Sequence, residues 1–153
     1  MSRVMLIAAD KPLPLCDKQA ERTKTVTIPN DVDSEIRGKT FTVTALAGFK
    51  VEEHAYYRPA VDALGYEIKP FQYELELEEH EKDLKNLLDF LREHFICGET
   101  VELRNLWVGD DQDNKPARYA GDLADFDMDT LKQFLNPMSG NGIIGQCRMT
   151  ITI

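Results

Sequence analysis

The fold turns on one stretch, which reads FQYELELE over residues 71–78 and EHEKDLKNLLDFLREHFI over residues 79–96. In its first part Phe71, Tyr73, Leu75 and Leu77 alternate with Gln72, Glu74, Glu76 and Glu78. Successive side chains of a strand point to opposite faces, so this pattern predicts a strand with one buried face. In the second part Leu84, Leu87, Leu88, Leu91 and Phe95 recur at helical spacing and draw one apolar stripe. Glu78, Glu79, Glu81 and Asp83 sit at the start of this helix, and Arg92 and His94 near its end. Each sign of charge lies where the helix dipole favours it, and Gly98 stops the helix.

Working outward, Thr100 to Val108 reads as the next strand, with Asn105 breaking its alternation as a bulge would. Residues 109–128 read as a long acidic loop. A short helix follows at 129–136, capped by Asp127 or Asp129 and closed by Pro137. Ser139 to Gly145 is a glycine-rich turn, and Gln146 to Ile153 a last strand with Cys147, Met149, Ile151 and Ile153 inward. Before residue 71, residues 3–9 read as a buried strand and 10–22 as a surface loop. Lys24 to Ile28 and Thr40 to Leu46 alternate, with Phe41, Val43 and Ala45 on one face and threonines on the solvent side. Residues 50–57 fit strand or helix, and Arg58 to Gly65 a single helical turn. The order predicts one α+β domain over residues 1–153. It holds a mixed, mostly antiparallel sheet with a long and a short helix on one face. The second half suits a ferredoxin-like split βαβ unit.

The chain has 153 residues, of which 42% are hydrophobic and 29% charged. That composition suits a globular domain rather than a disordered one. No run approaches the roughly 18 apolar residues of a membrane span. The net charge is −9, and its distribution is uneven. Residues 1–70 balance ten acids with ten bases, so the whole surplus falls in residues 71–153. A nucleic-acid binder needs a basic footprint, and an anionic membrane repels this chain. Cys16, Cys97 and Cys147 are an odd count at unpatterned spacing, unlike a disulfide framework. The apolar run Val4 to Ala9 is too short for a signal-peptide core, so a cytoplasmic protein is expected.

The motifs that could carry chemistry fall short in turn. Gly140 to Gly145 matches GxGxxG, but a helix precedes it and a strand follows, the reverse of a dinucleotide site. A calcium loop starting at Asp125 has acids at positions 1, 3 and 5, then Thr130 where glycine is needed and Asn136 where glutamate is needed. One starting at Asp111 places Lys115 at position 5. His94 and Cys97 are three apart, yet a helix C-terminus stabilises the thiol rather than the reactive thiolate. No nucleophile elbow, Walker lysine loop or HExxH motif is present. No cofactor and no metal is expected. His54, Tyr56, Tyr57, Arg58 and Trp107 suit the lining of a small-molecule pocket or simply core and rim.

The unusual feature is the row Glu74, Glu76 and Glu78, with like charges about 7 Å apart on one sheet face. Its plain account is cross-strand pairing with Arg104, Arg148 or lysines. Its functional account is an acidic surface for a basic protein partner, extended by Asp110, Asp111 and Asp113. The sequence thus favours a non-enzymatic interaction protein. The alternative is a small enzyme or small-molecule binder whose pocket leaves no motif. Assembly with further copies of itself is compatible with both.

Overall fold

In the computed structural model, residues 2–31, 35–109, 116–137 and 145–153 are described. The chain runs through β1 (Ser2–Ala9), β2 (Cys16–Asp17), β3 (Ala20–Thr27), β4 (Thr40–Ala47) and β5 (Lys50–Glu53). After these come α1 (Arg58–Asp62), β6 (Phe71–Glu76), α2 (Glu81–His94) and β7 (Thr100–Val108). The chain closes with β8 (Ala117–Asp122), a 3-10 turn at Leu123–Asp125, α3 (Met128–Leu135) and β9 (Cys147–Thr152). Seven strands form one mixed sheet in the order β2-β5-β6-β1-β7-β9-β8, and β3 with β4 forms a second sheet of two strands. Every pair in the large sheet is antiparallel except β8 with β9. The predicted α+β class and mixed, mostly antiparallel sheet are therefore observed.

β1 is the centre of the fold. It is antiparallel to β6 on one side and to β7 on the other, so β6 and β7 run parallel with β1 between them. The β6–α2–β7 segment is thus a split βαβ unit, and its gap is filled from the first half of the chain. The following β8–α3–β9 unit is not split, because β8 and β9 pair directly.

Side-chain parity divides the core into two. Ile7 and Ala9 of β1, Leu75 and Leu77 at β6, and Val101 and Leu103 of β7 meet Leu87, Phe90 and Leu91 of α2. Leu131, Phe134 and Leu135 of α3 join the same cluster, so both helices cover one face as expected. On the other face Val4, Leu6, Leu106 and Val108 pack beneath Val61 of α1 and the following Leu64, Tyr66 and Ile68. A sheet covered on both sides accounts for the unbroken burial of β7 from Val101 to Leu106.

Three expectations change. Residues 10–22 are not simply loop, because they contain β2 and the start of β3. The described part of 109–128 holds edge strand β8, whose Ala-Arg-Tyr-Ala-Gly-Asp sequence carries little β-propensity of its own. Asn105 marks no bulge, since β7 pairs with β1 in continuous register from Ser2–Val108 to Ala8–Glu102. Its amide instead donates to the carbonyls of Phe134 (2.7 Å) and Leu135 (3.5 Å), and its oxygen accepts from Arg3 Nε (2.8 Å). A polar residue interrupts the apolar pattern because the end of α3 needs donors for its last carbonyls.

Candidate functional site

β2 and β5 pair at the sheet edge, and β3 and β4 continue the same hairpin beyond it. Lys18 N–H donates to the Phe49 carbonyl (2.9 Å) where the two parts join. Beyond this joint the ribbon leaves the sheet as an arm of eight residues per strand. Its register sets Arg22, Lys24 and Val26 on one face with Ala45, Val43 and Phe41. The threonines line the other, with hydroxyl pairs Thr23–Thr44 and Thr27–Thr40. The sequence placed Phe41, Val43 and Ala45 on a buried face. They are not buried: Val26 is 44% exposed, Phe41 43%, Val43 48% and, on the threonine side, Leu46 69%. No third strand or helix covers this ribbon among the described residues.

The arm is fastened at its root by the acidic stretch the sequence singled out. Arg22 donates to Glu78 (3.0 Å) and to both oxygens of Asp83, and Lys24 pairs with Glu78. Gln19 donates to Glu76 and to the Gly48 carbonyl. Asp83 is fully buried and also accepts from the Glu78 N–H (2.8 Å). Burial without partners would make that carboxylate very costly, and here its oxygens are occupied. The two carboxylates raise the Arg22 guanidinium above its ordinary value, the hydrogen bond to Asp83 being the main cause. The hydrogen bond from Lys24, helped by Arg22, holds Glu78 below the usual carboxylate range.

Glu74 has a different partner. His54 Nδ1 lies 3.3 Å from its Oε1, with the imidazole side chain fully buried. The three glutamates thus serve three contacts: His54, Gln19, and the Arg22–Lys24 pair. Of the partners expected from the sequence a lysine is found, as Lys24 on Glu78, whereas Arg104 and Arg148 pair with Glu102 instead. Asp110, Asp111 and Asp113 lie outside the described residues, as does the glycine-rich turn except Gly145.

A groove of 730 Å³ opens where the arm meets the body. Arg3, Arg22, Lys24, Leu77, His80 and Asn136 are among the residues lining it. Arg3 NH2 is buried there with no acceptor, and burial lowers the affinity of that guanidinium for its proton. An unsatisfied buried donor costs about 1–3 kcal/mol, so an acceptor delivered to this groove would be welcome.

Of the two readings of the aromatic residues, core and rim describes Tyr56, Tyr57 and Trp107 better than a shared pocket. Tyr56 is exposed and edge-on to Tyr57 (4.8 Å between centroids), Tyr57 covers the α1 cluster, and Trp107 pairs with Arg3 at the far end of β1. His54 and Arg58 do share a smaller pocket of 290 Å³ with Phe71, Gln72 and Tyr73. Both His54 Nε2 and Gln72 Oε1 are buried there without partners.

The cysteines stay apart. α2 ends at His94, so the exposed Cys97 lies beyond the helix, and His94 rests on Phe90 (4.6 Å). Cys147 is buried, which pushes its thiol up to about 12. Asp127 spends its carboxylate capping α3, accepting from Thr130 N–H (2.9 Å) and Oγ1 (3.0 Å). Among the described residues no three His, Cys, Asp or Glu side chains converge as a metal would require, and no helix is long and apolar enough to cross a membrane. No family model, curated protein or solved structure matches this chain.

Proposed function

We propose that the protein is a non-enzymatic interaction module that holds a partner polypeptide along the Val26–Phe41–Val43 face of its arm. The observation that supports this is the arm itself. A two-stranded ribbon is marginally stable alone, and this one leaves its apolar face in water. Glu76 and Glu78 of the acidic row anchor the arm at its root, and Glu74 meets His54, so the row does not present three free charges. The partner is an apolar segment flanked by basic residues. The apolar part suits the arm face, and the basic flanks suit a body that carries the net charge of −9. A second copy of this chain would bring the same negative charge and be repelled.

Photo-crosslinking tests this. A crosslinker replacing Val43 should trap one partner polypeptide from native lysate, and one replacing Thr42, on the opposite face, should not. The yield should fall with added salt. Equal trapping from both faces, or trapping only of the protein's own copies, contradicts the reading. A second reading, a small-molecule site, is favoured by the unpartnered His54 Nε2 beside Arg58. It predicts that His54→Gln abolishes function while the Val43 and Thr42 probes behave alike.

A further inference from the structure

The face of the sheet that carries α1 also holds a second charged row. Cross-strand pairing aligns Arg104 of β7 with Arg148 of β9, and Arg148 with Arg118 of β8. Three arginines therefore stand side by side on three adjacent strands, each about 5 Å from the next. Like charges opposite one another destabilise a sheet, so the row needs a counter-charge. Among the described residues, the ion pairs of this row lead to one acid. Glu102 is buried, with Oε2 on Arg104 (2.7 Å) and Oε1 3.6 Å from Arg148. Arg104 is also buried and is fixed further by the Glu67 carbonyl. Burial pushes the Arg104 guanidinium below its ordinary value, and Arg148 and Arg118 push it further in that direction. Arg118 is exposed and has no acidic partner among the described residues. On its own strand the next acid on that face is Asp122, about 13 Å along.

Exposure rises along the row from the buried Arg104 through the half-buried Arg148 to the exposed Arg118. The segment carrying α1 covers Val4, Leu6, Leu106 and Val108, and meets the β9 side where Gln146 donates to the Tyr66 hydroxyl (3.2 Å). Arg148 stays about one-third exposed beside that rim, and the small pair Ala120 and Thr150 follows the arginines on the same face, Ala120 exposed and Thr150 half-buried. The buried Arg104–Glu102 pair is neutral and acts as a base plate. Among the described residues, Arg148 and Arg118 remain beside it with two charges that no further acid cancels.

We propose that this end of the sheet is a binding site for a soluble phosphate dianion, free or as the terminal phosphate of a small molecule. Arg148 and Arg118 grip its oxygens, and Glu102 holds Arg148 in place. Guanidinium forks match phosphate oxygens in pairs, and two positive charges match the charge of a phosphate monoester near neutral pH. A phosphorylated lipid headgroup has the same chemistry, but a chain of net charge −9 is repelled by an anionic bilayer. The site is independent of the arm.

NMR titration with inorganic phosphate, at constant ionic strength held by sodium chloride, tests the proposal. The Arg118 and Arg148 Nε–H signals and the β8 and β9 amides should shift and saturate. Arg118→Gln should weaken binding about tenfold, the loss expected for one charge-assisted contact. Arg118→Lys should restore only part of it, since the fork is lost. Lys39→Gln removes one positive charge on the arm and should change nothing. Shifts that never saturate, that chloride reproduces, or that Arg118→Gln leaves intact would overturn the site. Vesicles of phosphatidylcholine with phosphatidic acid should leave the protein in the supernatant. Pelleting that Arg118→Gln abolishes would overturn the soluble assignment.

Discussion

Gly48 shows how one residue controls the junction between arm and body. Its φ is +127°, a conformation that side-chain-bearing residues rarely adopt. A Cβ there would sit 3.2 Å from Arg22 NH2 and 3.4 Å from Asp83 Oδ1. Gly48→Ala should therefore cost about 1–3 kcal/mol through backbone strain and displacement of the Arg22–Asp83 pair. Thermal unfolding checks this, and an unchanged midpoint would show that the junction tolerates a side chain. Little of this was legible in the sequence. The turn at Gly48 could be read, but the Arg22–Asp83 pair spans 61 residues and starts in a segment without strand periodicity. The glutamate row was legible as a pattern. Its partners were not, since Gln19, Arg22 and Lys24 lie 54–57 residues earlier in the chain. Asn105 was visible as an exception, but the helix end it serves comes 29 residues later.

Among the elements, the arm should respond to acid before the sheet does. Glu78 is held below its ordinary value in the folded protein. A carboxylate depressed in this way contributes stability above its unfolded value of about 4.3 and loses it as pH falls through the depressed value. Acidification should thus release Lys24 and Arg22 from Glu78 and expose the arm to protease while β1 and β7 stay protected. Glu78→Gln should show a looser arm already at neutral pH. Simultaneous loss of protection in arm and sheet on acidification would contradict this. Periodicity found β1, β6, α2, β7, α3 and β9, which bury one or both faces and so carry a strong apolar signal. It missed β2 and β8 because the first has two residues and the second is an exposed edge strand. It misread the arm because alternating apolar residues look the same whether or not anything covers them.

For the whole molecule, the α+β class followed from the order of strong elements, whereas the strand order did not. Nothing local says that β1 belongs between β6 and β7, about 65 and 100 residues away. That placement lets the chain be regarded as a receptor and its ligand joined by a dispensable tether. Residues 1–30 contain β1, β2 and β3, and every strand pairing they make is to a strand after residue 39. A chain cleaved between Asn30 and Asp31 should elute from a sizing column as one species and separate only in denaturant. Two native peaks would count against it. A synthetic peptide of residues 1–30 should then exchange into the cleaved protein, so that the central strand could be replaced chemically, isotope by isotope, without touching the rest of the molecule.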